Sequence, residues 1–311
     1  MIFEIANRLR ANIQKVIVGK DEVIDQTLVA VLCEGHLLLE DVPGIGKTTL
    51  ARALAASLGF TYRRIQFTPD LLPSDVTGLN WFNQKEQEFE YKHGPIMSQV
   101  VLADEINRAT PRTQSALLEA MQERQVTIDG VTRPLPRPFI VLATQNPIEL
   151  EGTFPLPEAQ IDRFLMRIAI GYPSEIEENV ILERFRANDP LPALTAVTSP
   201  GEVLELQEFR RQIKVVEPVR EYIVRVARAT RDHTEIELGA SPRATLSLYQ
   251  AAQAWAAIRG RDYVIPDDVK QLAPSVLTHR LMVAPQAQLR GRKVEDMIAD
   301  IVDTVPVPVE N

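Results

Sequence analysis

One cysteine and four histidines in 311 residues leave little material for covalent or metal stapling. A disulfide framework needs more than one cysteine, and none of these residues stands at the spacing of a structural zinc site. Cys33 falls in the apolar run TLVAVLC and reads as a small core residue. Positive charge is in deficit: 34 Lys plus Arg against 42 Asp plus Glu give a formal charge of −8. That balance argues against indiscriminate nucleic-acid binding, although a local basic groove is compatible with it. No apolar run is long enough to cross a membrane. The first residues, MIFEIANRLRANIQ, read as a charged amphipathic helix rather than a secretion signal. The expectation is a cytoplasmic protein with no membrane insertion.

What is present is an ordinary globular balance of 45% hydrophobic and 24% charged residues. The length exceeds one compact domain and suggests a large and a small one. Short apolar runs recur in the first half: HLLLE (36–40), RRIQF (63–67), VVLAD (100–104), FIVLAT (139–144) and LMRIAI (165–170). None alternates cleanly, which suits parallel strands buried on both faces. Helical patterns lie between them. Thr48 to Leu58 is rich in Ala and Leu, and TPRTQSALLEAMQERQ offers Thr110 as N-cap and Pro111 as first helical residue. Strand–helix alternation predicts an α/β fold with a mostly parallel five-stranded sheet flanked by helices.

Two segments interrupt the alternation. NWFNQKEQEFEYKHG (80–94) is polar with interleaved aromatics; Trp81, Phe82, Phe89 and Tyr91 read as a small core of that insertion in preference to a partner surface. VTIDGVTRP (126–134) centres on Asp129-Gly130, a hairpin-turn signal. After Ile170 the pattern changes. GYPSEIEENVILERF becomes helical, ANDPLPALTAVTSPG reads as a proline-bearing linker, and from Glu202 helices take over with no further strands expected. The predicted division is an α/β domain over 1–172, a linker over 173–201 and an all-α domain over 202–311. Trp255 is spaced for packing inside the last, and Arg210-Arg211 read as a solvated helix face.

The chemistry sits in EDVPGIGKTTLARAL (40–54). A strand, a glycine-bearing loop and a helix opening on Lys47-Thr48-Thr49 form the context of a phosphate-binding loop made of Asp41, Val42, Pro43, Gly44, Ile45, Gly46, Lys47, Thr48 and Thr49. Gly44 and Gly46 let N–H groups turn inward, and the helix N-terminus adds positive potential. Lys47 is placed to reach β- and γ-phosphates, and Thr48 to put a hydroxyl on Mg²⁺. The usual pattern has glycine where Asp41 stands. That position sets the turn and supplies no phosphate ligand, and Asp tolerates turn geometry. VVLADEINRA ends a strand in two carboxylates: Asp104 for the Mg²⁺ shell, Glu105 to orient and deprotonate a water. In FIVLATQNP, Asn146 follows a strand and is placed to bridge the water and the γ-phosphate, with Pro147 stopping the chain.

These blocks, in this order, resemble the AAA+ ATPases, and most closely the MoxR family. LLLEDVPGIGKTTLARALA, LADEINRATPRTQSALLEAMQERQVTIDG and ATQNPIELEGTFPLPEAQIDRFL are similar to that family's signature blocks. The resemblance implies a P-loop AAA+ core and a helical lid, with one insertion within the second helix and a hairpin before the Asn146 strand. It implies an arginine finger at Arg163, which would reach the γ-phosphate bound by a neighbouring subunit, and a lid arginine of the sensor-2 type at Arg243. It also implies adenine contacts near Val18 and Gly19. On the residues alone, Arg163 reads as a salt bridge to Asp162 or Glu158, Arg243 equally as a helix-surface arginine, and Arg108 as either a nucleotide sensor or a salt-bridged loop residue. The implied function is an ATP hydrolase with ATP and Mg²⁺, working as a homo-oligomeric, hexameric ring. Its work is chaperone-like remodelling or maturation of a protein client, often one with a von Willebrand factor A domain or a metal-cofactor enzyme. The alternatives are a DNA helicase-type motor, disfavoured by the nearly neutral VTIDGVTRP hairpin, a nucleotide-gated scaffold with little turnover, and a P-loop kinase.

Overall fold

The structure, a computed structural model, describes residues 1–146, 152–186 and 189–308; Pro147 lies outside them. Two helices come first, α1 (Ile2–Ile13) and α2 (Asp21–Leu32), followed by β1 (Leu37–Glu40), α3 (Lys47–Leu58) and β2 (Tyr62–Gln66). A short helix α4 (Pro73–Thr77) leads to a hairpin of β3 (Gly78–Asn83) and β4 (Glu88–His93). Then come β5 (Val100–Asp104), α5 (Pro111–Glu123), the second hairpin β6 (Gln125–Ile128) with β7 (Val131–Pro134), β8 (Ile140–Gln145), α6 (Glu158–Ile161) and β9 (Met166–Ile168).

The central sheet runs β2-β5-β8-β1-β9, every pair parallel. Its residues explain its burial. Leu37, Leu39, Val100, Leu102, Ile140 and Leu142 face one core with α1, α2 and α3. Leu38, Val101, Ala103, Val141 and Ala143 face the other with α5. A strand covered on both faces needs apolar side chains at odd and even positions alike, so no alternation shows.

The remaining chain is helical: α7 (Glu175–Phe185), α8 (Pro200–Arg210), α9 (Glu217–Asp232), α10 (Pro242–Ile258), α11 (Pro266–Leu277), α12 (Pro285–Leu289) and α13 (Val294–Thr304). A short antiparallel pair, β10 (Ile236–Leu238) with β11 (Met282–Val283), interrupts it. Two- and three-residue strands carry too little periodicity to be seen in a sequence expected to lack strands there. Pro218, Pro242 and Pro266 occupy the first turns of their helices, as a missing N–H permits. Thr110 stands at the N-cap of α5, but its side chain makes no capping bond; its hydroxyl lies 3.4 Å from that of Thr113. The helical unit shares the first core: Leu248, Ala251 and Trp255 are buried in the same cluster as α2, and Gln207 donates to the Val31 carbonyl at 2.7 Å.

Three expectations change. Trp81 and Phe82 are more than 40% exposed and Phe89 is 74% exposed, with the Phe82 and Phe89 rings 5.3 Å apart and tilted by 60°. A two-stranded hairpin has no second layer, so these rings form a surface, not a core. Arg210 is buried and donates to Gln253 at 3.1 Å, whereas its neighbour Arg211 is solvated beside Glu208. The insertion is a hairpin between α4 and β5, closed by hydrogen bonding along its full length. The Asp129-Gly130 turn has φ of 50° and 79°, the paired positive values of a type I′ turn.

His36 makes stability pH-dependent. Its Nδ1 accepts from the Val141 N–H at 3.0 Å and its Nε2 donates to the Met121 carbonyl at 3.1 Å. Both ring nitrogens are committed to the neutral form. Burial, reinforced by Arg124, pushes its pKa down to about 3. His279 is likewise lowered by burial and by Arg280. Below pH 6.5 the unfolded chain takes up protons that the folded chain refuses, so stability is complete above that pH and is lost as pH falls. The loss is on the order of 1.4 kcal/mol per pH unit for each histidine. Urea unfolding midpoints should therefore fall between pH 7 and pH 5; a flat midpoint over that range contradicts this account.

Candidate functional site

β1, β5 and β8 end side by side, and the loop after β1 curls across their carboxyl ends. This is where open α/β sheets place ligands. Gly44 and Gly46 have φ of 86° and 93°, with nothing within 4 Å of where a Cβ would stand. The constraint on them is therefore backbone conformation and not crowding. α3 starts at Lys47 with no side-chain cap, leaving its first N–H groups for an anion. Lys47 folds back, its ammonium donating to the Asp41 carbonyl at 2.5 Å. Burial pulls its pKa down, against the opposing pull of Asp41, Asp104 and Glu105.

Asp41 does more than shape a turn. Its Oδ1 accepts from the Val42 N–H at 2.8 Å and its Oδ2 from the Gly171 N–H at 2.6 Å. It fastens the loop entrance to the chain leaving β9.

Two cavities meet at the loop. The first, about 410 Å³, is polar and is bounded by Lys47, Thr48 and Thr49 on one side and by Asp104, Glu105, Asn146 and Arg64 on the other. The second, about 400 Å³, shares Pro43, Gly44 and Gly46 with it and is walled by Val18, Ile45, Ile170, Ile181 and Phe185. A polar chamber opening into an apolar one suits a charged chain attached to a flat heterocycle. Val18 lines the apolar chamber. Gly19 follows it with φ 67°, a left-handed conformation that favours glycine, and its Cα faces the Glu177 carboxylate of α7.

Glu105 holds φ 56°, a left-handed conformation that costs a non-glycine residue about 1–3 kcal/mol. Thr144 on β8 sustains it. The Thr144 hydroxyl accepts the Glu105 N–H at 2.8 Å and donates to Asp104 Oδ1 at 2.6 Å. The Glu105 carboxylate takes Gln66 Nε2 at 2.7 Å and Arg108 at 3.0 Å, so Arg108 takes part in a salt-bridged loop. Arg64 grips Asp104 Oδ2 through Nε at 2.9 Å and Nη2 at 2.6 Å. Thr144, Arg64 and Gln66 were not singled out in the sequence. A signal existed: Arg64 and Gln66 flank buried Ile65 and so share the opposite face of β2.

Hard oxygen donors suit Mg²⁺, which is commonly held by one or two protein oxygens together with a substrate's phosphates. Thr48 and Asp104 bound one cavity and offer that set. Among the described residues no group of three or more His, Cys, Asp or Glu could cage a metal, and this mode of binding requires none.

The two arginines assigned by resemblance lie elsewhere. Arg163 sits in the turn between α6 and β9, bounds neither cavity, and its guanidinium forms no ion pair with a described residue. The bridge to Asp162 or Glu158 is absent. Arg243, in the first turn of α10 behind the Ser241 cap, lies 3.8 Å from Asp162 and also outside both cavities. The chain's own fold thus brings together the loop, Asp104, Glu105 and Asn146, and leaves Arg163 and Arg243 apart from them.

The sequence profile of the ATPase family associated with various cellular activities (AAA) matches residues 36–166, and that of the AAA lid domain matches residues 228–301. An uncharacterised Bacillus subtilis protein, YeaC, is 51% identical over 96% of this chain and 93% of its own. The chaperone MoxR1 of Mycobacterium tuberculosis is 45% identical over 96% of this chain and 81% of its own. A Cytophaga hutchinsonii crystal structure, described provisionally as an ATPase, superposes with a TM-score of 0.93 at 39% identity, covering 99% of this chain and 96% of the other.

Proposed function

The chain belongs to the MoxR family of AAA+ ATPases, and from that premise we propose that it hydrolyses ATP at a site completed between subunits of a homo-oligomer and uses the cycle to remodel a protein client. The observation that carries the proposal is the polar chamber in which Lys47, Thr48, Asp104 and Glu105 converge, opening on an apolar one.

ATP would lie with its triphosphate under the loop and its purine against Val18 and Ile45. The loop N–H groups and Lys47 would bind the phosphate oxygens. Mg²⁺, held through Thr48 and Asp104, would neutralise charge on the β- and γ-phosphates. Glu105, already fixed by Thr144, would accept a proton from a water that Asn146 helps to place. Arg163 of one subunit would stabilise the charge developing on the γ-phosphate of the next, and Arg243 would leave Asp162 for the phosphates of its own nucleotide. In this reading residues 1–172 are the nucleotide domain and 202–311 the lid, the location is cytoplasmic, and the ring is hexameric. The client is a protein, by resemblance one with a von Willebrand factor A domain or a metal-cofactor enzyme.

A helicase gains no support from the second hairpin. Its one arginine, Arg133, is stacked 4.3 Å over Tyr91, and a strand-tracking hairpin calls for free cations. Stimulation of ATPase by a client, and not by single-stranded DNA, is the expected outcome; the reverse pattern contradicts the chaperone reading.

Asp41 gives a sharper test. Asp41→Gly restores the usual loop pattern but strands the Gly171 N–H, at a cost of about 1–2 kcal/mol. ATP should bind roughly five- to thirtyfold more weakly to the variant in calorimetry. Unchanged or tighter binding contradicts the anchoring role.

A further inference from the structure

Arg280 is a buried cation that the proposed reaction does not use. Its side chain is 2% exposed. It stands in the turn after α11, and its guanidinium spans two parts of the molecule. Toward the lid it donates to the Val276 carbonyl at 2.5 Å and the Ser247 hydroxyl at 3.2 Å. Toward the sheet it donates to Asp162 Oδ1 at 2.8 Å, the Leu165 carbonyl at 3.1 Å, and the carbonyls of Phe164 at 2.5 Å and Asp162 at 3.3 Å. The neighbouring His279 donates to the same Phe164 carbonyl at 3.1 Å. Every residue gripped on the sheet side flanks Arg163: one precedes it and two follow it.

The bracket is closed from the other sides too. The Phe164 N–H donates to the Ile161 carbonyl at 3.1 Å and the Leu165 N–H to the His36 carbonyl at 2.8 Å. The Asp162 carboxylate takes the Ser241 hydroxyl at 3.2 Å and lies 3.8 Å from Arg243. A planar fork with five donors is suited to holding several acceptors in fixed relation. The fork grips Asp162, Phe164 and Leu165 on either side of Arg163 and makes no hydrogen bond to Arg163 itself.

We infer that Arg280 is a positioning residue for Arg163: it fixes the turn that presents the finger and so ties the lid of one subunit to the active site of its neighbour. This rests on the reading of Arg163 as a finger acting between subunits. Asp162 is the shared acceptor for Arg280 and Arg243, so a turn of the Arg243 side chain toward the phosphates leaves Arg280 as the remaining charged hold on the turn. Misplacing a catalytic group by about 1 Å costs on the order of a hundredfold in rate.

The test uses mixed oligomers of the full chain. Glu105→Gln subunits keep a finger but cannot hydrolyse; Arg163→Ala subunits keep the hydrolytic site but lack the finger. Phosphate release by the mixture should exceed the sum of the separate rates. If it does not, the finger reading fails before Arg280 is tested, and this inference falls with it. With recovery in hand, Arg280→Gln placed on the Glu105→Gln chain should lower it at least tenfold, with the KM for ATP unchanged. Placed on the Arg163→Ala chain, it should leave at least half. Equal loss in both positions would mean that Arg280 only supports the fold, and loss in neither, or only on the hydrolysing chain, overturns the inference outright. Should Arg280→Gln fail to fold, Arg280→Lys decides by the same asymmetry, because it keeps the charge and loses the fork.

Discussion

Arg163→Ala lowers the turnover number for ATP by roughly 10³- to 10⁵-fold and leaves ATP affinity within about twofold. That is the range over which an arginine supplied to a transferring phosphoryl group acts. Sparing of affinity is expected because Arg163 bounds neither cavity of its own chain. Its guanidinium has no ion-pair partner among the described residues, so alanine removes no structural link. Steady-state hydrolysis and equilibrium binding of ATP, measured on the same preparation, check both halves. Loss of affinity in step with turnover would place Arg163 in its own subunit's site and contradict the proposal.

Glu105→Gln is the second large effect. A positioned general base contributes about 10²- to 10⁴-fold, and glutamine keeps the size while losing the basic oxygen. Turnover should fall by that factor. Binding of ATP should persist, because the loop, Lys47 and Thr48 are untouched. The left-handed backbone at residue 105 is sustained by the main-chain N–H bond to Thr144, which the substitution leaves intact, so folding should be unaffected. A melting temperature within a degree or two of the parent, together with lost turnover, is the expected pair of results. A variant that hydrolyses ATP at the parent rate would remove Glu105 from the mechanism.

The sheet was legible in the sequence because its cause is local and strong. Strands buried on both faces must be apolar throughout, as the central β1, β5 and β8 are, and such runs separated by helical patterns leave few other folds. The shape of the loop after β1 was legible for a similar reason: two glycines with positive φ and a helix opening on Lys47 are encoded in consecutive residues. Arg64, Gln66 and Thr144 were not, because their roles exist only where β2, β5 and β8 lie side by side, a register that no single strand encodes. The sequence around Asp41 shows only a turn residue, because its second partner, Gly171, is 130 positions away. The hairpin aromatics were misplaced for a physical reason. Aromatics at alternate positions fit a small core equally well until the missing second layer is seen. Arg210 was misjudged because a doublet of arginines on a helix gives no hint that one of them finds Gln253 inside.

The central claim is that the active site is completed between subunits. The measurement that tests it most directly is specific ATPase activity against protein concentration, with oligomeric state determined at each dilution. The account predicts activity near zero where the chain is monomeric, rising to a plateau as oligomers form. A substantial, constant rate from a chain shown to be monomeric would contradict it.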